Sequence, residues 1–194
     1  ENDLTTWCED GPIGKAGNVK NSELYLDETL VVISGDDLTD VDLGRAIEFH
    51  RERKASATIV LTSVANPLEF GVVITKPDGS INRFLEKPSW GEVFSDQVNT
   101  GIYILEPQVL DLLPPAAVVD WSSDVFPKML RGKMPLYGYL APGYWCDIGH
   151  IQTYYQANWD ALEGRVEVEI AGERREGNIW IGEDVELGHD VRLE

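Results

Sequence analysis

Leu30-Val31-Val32-Ile33-Ser34-Gly35-Asp36-Asp37 opens the stretch that decides the fold, and Ala57-Thr58-Ile59-Val60-Leu61 closes it. Both apolar runs are continuous rather than alternating, the pattern of strands buried on both faces. Between them a helical pattern starts near Asp42, a plausible N-cap, with Leu43, Ala46, Ile47 and Phe49 on one face. His50-Arg51-Glu52-Arg53-Lys54 closes that helix on a solvated end. Strand, helix and strand in this order make a βαβ unit, so the expectation is an α/β domain with a mostly parallel sheet.

Working outward, Phe70-Gly71-Val72-Val73-Ile74 and Ile81-Asn82-Arg83-Phe84-Leu85 flank Pro77-Asp78-Gly79, a hairpin turn. A further strand is expected over 98–105, and Glu106-Pro107 opens a short helix with proline in its first turn. Ser122 is the expected cap of a helix through Val125, Phe126, Met129 and Leu130, and residues 151–162 read as helix up to Gly164. Near the end, Ile181, Leu187 and Leu193 recur every six residues, as do Val185 with Val191 and Gly182 with Gly188. An alternating hairpin would not keep the glycines in step, so the tail reads as the beginning of a parallel β-helix built on hexapeptides. Two domains are therefore expected, 1–165 and 166–194.

The chain has 194 residues with 16 Lys+Arg against 34 Asp+Glu, a formal charge of −18. Such an acid excess argues against binding nucleic acid or anionic membrane surfaces, which need basic patches. No apolar stretch approaches the ~18 residues of a membrane span. Glu1-Asn2-Asp3-Leu4 has no signal-peptide character, and Cys8 and Cys146 make no framework of disulfides. A cytoplasmic location follows as the expectation. Without an initiating Met, the chain reads as a piece of a longer one.

Several segments carry possible chemistry. Gly11-Pro12-Ile13-Gly14-Lys15-Ala16-Gly17 fails both the P-loop and the dinucleotide spacing, and by composition it is a turn. Asp36 lies just past the carboxyl end of a strand, where open α/β sheets place ligands, and a carboxylate there can hold Mg²⁺ against a phosphate. Glu86-Lys87-Pro88 follows a strand directly, and the proline restricts Lys87 to extended backbone. Asp147, in Tyr144-Trp145-Cys146-Asp147-Ile148-Gly149, is either a cap for the next helix or a functional acid.

Taken in order, Pro12-Ile13-Gly14-Lys15-Ala16-Gly17, Ile33-Ser34-Gly35-Asp36, Phe70-Gly71-Val72-Val73, Phe84-Leu85-Glu86-Lys87-Pro88 with Asn99-Thr100-Gly101, and Trp145-Cys146-Asp147-Ile148-Gly149 resemble the sugar-nucleotide pyrophosphorylases. The closest branch in that resemblance is mannose-1-phosphate guanylyltransferase. The resemblance implies a Rossmann-like nucleotidyltransferase domain followed by the start of a left-handed β-helix. It implies transfer of a nucleotidyl group from a nucleoside triphosphate, GTP by preference, to a sugar 1-phosphate, mannose by preference. By position it implies Asp36 and Asp147 as Mg²⁺ ligands and Lys87 on the sugar phosphate, these three being the catalytic set. Gly71, Glu86 and Asn99 would line the sugar, and Gly14 the nucleotide. A homo-oligomer is implied for the complete enzyme.

Two departures stand out. Lys15 occupies a position where this family usually has Thr, which bears on the base-side contacts. The glycine-rich triphosphate loop that the family carries upstream is absent from this sequence, so the chain by itself is expected to be inactive. The chemistry suits the residues: the attacking sugar phosphate is already an anion, so charge neutralisation and alignment matter more than a general base. Alternatives are the same reaction with glucose 1-phosphate and another base, a non-catalytic regulatory subunit, or a hexapeptide acyltransferase. The last is disfavoured because its repeats would dominate the chain.

Overall fold

The computed structural model describes residues 14–21, 27–86, 89, 91, 95–114, 117–175 and 178–193. The chain divides into two compact units, the first made of 1–34 and 43–141 and the second of 35–42 and 142–194. None of the helices among the described residues is long and apolar enough to cross a membrane.

The first unit is built on a six-stranded sheet. Its strands are β1 (Leu30–Val32), β3 (Ala57–Ser63), β4 (Gly71–Thr75), β5 (Ile81–Glu86), β6 (Gln97–Leu105) and β7 (Leu136–Leu140). The path is β5-β4-β6-β3-β7, with β1 also pairing β6. The longest strand, β6, is shared on one side by β4, through Val72 opposite Val98, and by β1, from Leu30 opposite Leu105 to Val32 opposite Tyr103. Its other side belongs to β3.

This arrangement corrects the expectation of a mostly parallel sheet. Among the described strands only β3 and β7 pair in parallel. Strands β1 and β3 do run in the same direction, as a βαβ crossover requires, but β6 lies antiparallel between them. The hairpin strands 71–105 supply it, so the sheet is mixed. The burial expectation holds for β3, where Ala57 to Leu61 are all buried, and fails for β1. There Leu30 is buried while Val31 and Ile33 are exposed.

Helix α1 (Gly14–Asn21) packs through Ala16 and Gly17, and α2 (Leu43–Arg53) through Ala46 and His50. A wide π-type turn over Trp121–Val125 leads into α3 (Phe126–Arg131). Its cap is Asp120, whose carboxylate accepts from the backbone N–H of Ser122 and Ser123, and not Ser122 as the sequence suggests. Trp121, Phe126 and Tyr103 meet as an aromatic cluster, with Tyr103 edge-on to Phe126 at 5.1 Å between centroids. The expected turn at Pro77-Asp78-Gly79 is present, closed by Gly79 N–H on the Lys76 carbonyl.

In the second unit, β2 (Asp37–Thr39) pairs antiparallel with β8 (Trp145–Asp147), followed by α4 (Ile151–Leu162). Farther on, β9 (Glu173–Arg174) and β10 (Trp180–Ile181) form an antiparallel pair. The described residues beyond Ile181 form turns without strand pairing, so the expected β-helix coil is not seen in them. Val185, Leu187, Val191 and Leu193 are exposed there. A solenoid coil buries such residues only against a neighbouring coil, and two six-residue periods fall short of the three or so repeats that make a stable stack.

His50, expected at a solvated helix end, is instead 1% exposed. Its Nδ1 lies 2.9 Å from Thr58 Oγ1 and its Nε2 3.1 Å from Glu106 Oε1, and Thr29 donates to the same carboxylate oxygen. Burial alone would raise the Glu106 pKa, but the bonds from His50 and Thr29 outweigh it and hold the carboxyl below its ordinary value. A lowered carboxyl pKa stabilises the fold above the unfolded value, and that support is lost as pH falls through the folded value. Glu106→Gln should therefore be less stable than the parent at neutral pH and should flatten the acid limb of its stability curve. Thermal melting between neutral and acidic pH checks this; parallel acid limbs would contradict it.

Candidate functional site

In the first unit, the positions expected to line a sugar fall on three adjacent strands. Gly71 is the ladder partner of Glu86 across β4 and β5. Val72 opposite Val98 sets β4 against β6 one residue short of Asn99. The sheet thus gathers Gly71, Glu86 and Asn99, which are separated by up to 28 positions in sequence. Lys87, the expected phosphate contact, lies outside the described residues.

Asn99 has a structural task as well. Between Ile59 opposite Tyr103 and Leu61 opposite Asn99 the register of β6 slips, so Asn99-Thr100-Gly101 forms a bulge, with Gly101 at φ 82°. The displaced backbone groups are satisfied by side chains: Gly101 N–H donates to Asn99 Oδ1 at 3.0 Å and Thr100 Oγ1 donates to the Val60 carbonyl at 2.9 Å. Both Nδ2 hydrogens of Asn99 are used, on Tyr103 Oη at 3.0 Å and Ser122 Oγ at 3.2 Å. One acceptor lone pair on Oδ1 remains.

Gly14 opens α1 at φ 76°, and a Cβ there would come within 2.5 Å of the Val119 carbonyl oxygen. Glycine is required by backbone packing, whatever else passes nearby. Beside it, Lys15 and Asn18 rim a cavity of about 260 Å³ whose wall also includes Ser34, Gly101, Tyr103 and Trp121.

The second unit holds the two acids. Asp36 sits in an exposed turn, and its carbonyl accepts from Ile148 N–H at 2.9 Å, which fastens it to the residue after Asp147. Directly opposite Asp147 in the β2–β8 ladder stands Asp37, an acid that the sequence analysis did not single out. The only hint of it in sequence was its adjacency to Asp36. Asp37 Oδ2 and Asp147 Oδ1 are both withdrawn from solvent. Like charges directly opposite one another in an antiparallel pair are unfavourable, so this ladder concentrates negative potential. A Cβ at Gly149 would sit 3.1 Å from Asp147 Oδ1, so glycine keeps the space beside that carboxylate open. No cluster of three or more metal-ligating side chains occurs among the described residues.

The two readings of Asp147 separate here. The cap of α4 is His150, in a capping box with Thr153, so Asp147 is not a helix cap. Other acids of this unit are structural. Asp40 accepts from the backbone N–H groups of Tyr144 and Glu167, and buried Asp160 accepts from Tyr144 Oη, Gln156 and Arg165. Burial, followed by the Asp160 bond, pushes the Tyr144 phenol well above its ordinary pKa. Burial and the facing carboxylates of Asp160, Asp147 and Asp37 raise Cys146, outweighing its bond to Tyr144.

A family model described as Nucleotidyl transferase matches residues 3–164. A UTP–glucose-1-phosphate uridylyltransferase of Synechocystis is 37% identical over 92% of this chain and 47% of its own length. A mannose-1-phosphate guanylyltransferase of Mycobacterium tuberculosis is 34% identical over 80% of this chain and 44% of its own length. The chain spans about half the length of these curated relatives. Among solved structures, HddC from Yersinia pseudotuberculosis superposes with a TM-score of 0.67 at 25% identity, over 79% of this chain and 64% of that one.

The bulge generates a stability test. Asn99→Ala removes the acceptor of Gly101 N–H and both donors at once, and should cost about 1–3 kcal/mol. Asn99→Asp keeps the acceptor and should cost less. Urea unfolding of both variants checks the order.

Proposed function

Because the chain belongs to the nucleotidyl transferase family, we propose that the complete protein transfers a nucleotidyl group from a nucleoside triphosphate to a sugar 1-phosphate, releasing pyrophosphate. GTP and mannose 1-phosphate are the proposed pair, in line with the motif resemblance and the Mycobacterium tuberculosis relative. A second reading, UTP with glucose 1-phosphate, is favoured by the Synechocystis relative. The observation that carries the proposal is the join of β2 to β8, where Asp37 faces Asp147 and the Asp36 carbonyl accepts from Ile148 N–H, while His150 relieves Asp147 of capping α4.

The donor set there fits Mg²⁺. Carboxylate oxygens are hard ligands, and Mg²⁺ is commonly held by one or two protein carboxylates with substrate phosphates and water completing its shell. The space that Gly149 leaves beside Asp147 Oδ1 agrees with that use. Asp36 and Asp147 would hold the ion, with Asp37 adding negative charge beside them. When bound, Mg²⁺ supplies charge neutralisation between phosphates.

The chain's own residues have defined tasks in this reading. The sugar-phosphate oxygen is already an anion, so no side chain needs to remove its proton. Lys87 neutralises that phosphate as a point charge. Gly71 and Glu86 border the sugar, and Asn99, with both amide hydrogens engaged, serves it only as a hydrogen-bond acceptor for a hydroxyl.

Asp36→Asn and Asp147→Asn in the complete protein should each reduce kcat by several orders of magnitude without lowering the melting temperature appreciably. Asp37→Asn should act chiefly by raising the Mg²⁺ concentration needed for half-maximal rate. Pyrophosphate release with GTP and mannose 1-phosphate is the assay, and near-normal kcat in both single-acid variants at saturating Mg²⁺ would sink the metal assignment. Lys87→Ala should raise KM for the sugar 1-phosphate more than KM for the nucleotide.

A further inference from the structure

The chain carries 34 acids in 194 residues, yet none falls between Asp124 and Asp147. A cavity of about 320 Å³ opens against that acid-free stretch, wholly within the first unit, and no carboxylate lines it. Two exposed lysines do: Lys76, which follows β4, and Lys133, which follows α3. Beside them stand Ser80, Asn82 and Tyr137, and Met134 contributes apolar surface.

Backbone contacts hold the two lysine-bearing segments in place. Gly138 N–H donates to the Gly79 carbonyl at 2.9 Å and Ser80 bridges Tyr137, so the turn between β4 and β5 is fixed to β7. Ser56 and Ala57 N–H both donate to the Pro135 carbonyl, which anchors the start of β7 on β3. Bonds from Lys133 N–H to the Leu130 carbonyl and from Met134 N–H to the Met129 carbonyl close α3. They set Lys133 at φ 54°, the left-handed position that helix ends commonly give to glycine. Donors carried on backbone this well tied meet an anion at little ordering cost.

Among the described residues, neither ammonium takes part in a hydrogen bond or an ion pair. The carboxylate that acts on Lys76 is Asp78. Its Oδ1 accepts from Ser80 N–H at 2.9 Å and from the Ser80 hydroxyl at 2.7 Å, and it stays off the cavity wall. Two ammonium groups on one small cavity repel each other unless an anion joins them. Ammonium, amide and phenol groups are all donors, the set that an oxyanion with several acceptor oxygens takes up. The volume is at the small end for a ligand pocket and suits a phosphate with a small organic group better than a whole nucleotide.

We propose that this cavity binds a phosphate dianion, free or as the monoester of a small molecule, with Lys76 and Lys133 as its cationic contacts. The site is separate from the sugar-side positions. Strand β5 starts at the cavity with Ile81 and ends at Glu86, roughly 16 Å away at the rise of a strand.

The test uses the complete protein and its Lys76→Gln and Lys133→Gly variants. Titration calorimetry follows inorganic phosphate and glycerol 3-phosphate, with sodium chloride at matched ionic strength as the control. The parent should bind at least one phosphate probe, and the tighter of the two tells a free ion from a monoester. Each substitution should weaken that binding about tenfold, since each removes a bond from a charged donor. KM for mannose 1-phosphate should stay unchanged in both variants. Lys133→Gly also relieves the left-handed lysine, so it should melt no lower than the parent, and its loss of binding would not come from a weakened fold. Absence of binding in the parent, binding matched by chloride, or binding that survives both substitutions would overturn the proposal. A KM that rises together with the loss of phosphate binding would overturn the separation of the two sites. Calorimetry decides on the cavity even where no pair of substrates turns over, so failure of the transferase reading remains distinguishable.

Discussion

Strand β6 is the member on which the first unit depends. Three strands take their register from it, and it accommodates them by breaking its own regularity at Asn99-Thr100-Gly101. A bulge exposes backbone groups that the ladder no longer pairs, and inside a sheet those groups must find other partners. The Asn99 oxygen and the Thr100 hydroxyl supply them. From that fixed point the Asn99 amide reaches Ser122, tying the sheet to the turn that opens α3 and seats Trp121 and Phe126 against Tyr103. The same bulge places Gly101 and Tyr103 on the wall of the cavity beside α1. Packing and candidate chemistry therefore share one local distortion, as functional sites often do.

The second unit solves a different problem, the handling of many acids in little space. Asp40 and Asp160 are saturated with donors and act as clamps on the chain. Asp160 stays ionised against its burial because Tyr144, Gln156 and Arg165 together outweigh the cost of desolvation. Asp37 and Asp147 face each other in the β2–β8 ladder, with Asp36 in the turn just before it, and proximity of like charge there is unfavourable unless positive charge joins it. A reaction between two anionic substrates needs that positive charge in any case.

Legibility in the sequence followed the range of the interaction. Continuous apolar runs made β3 recognisable, and Pro77-Asp78-Gly79 made the hairpin recognisable, because both signals are local. The motif order led to the nucleotidyl transferases, and the family match bears that out. Caps were less secure. Asp120 and His150 do the work for which Ser122 and, as one of two readings, Asp147 were considered, since several neighbouring residues can each serve a helix start. The six-residue period of the tail was visible, but a period becomes a coil only when another coil covers it.

By itself the sequence determined the α/β class and the family, because spacing, turn residues and motif order are properties of adjacent positions. Tertiary structure alone decided that β6 runs antiparallel between β1 and β3 and that His50 is buried on Glu106. It also decided that Asp37, rather than Asp36, faces Asp147 and that Lys15 borders a cavity with Trp121. Each of these depends on which of several compatible partners, more than a hundred positions away in two of the four cases, wins a place in the packed chain. That choice is made by register and burial over the whole unit, and no local pattern encodes it.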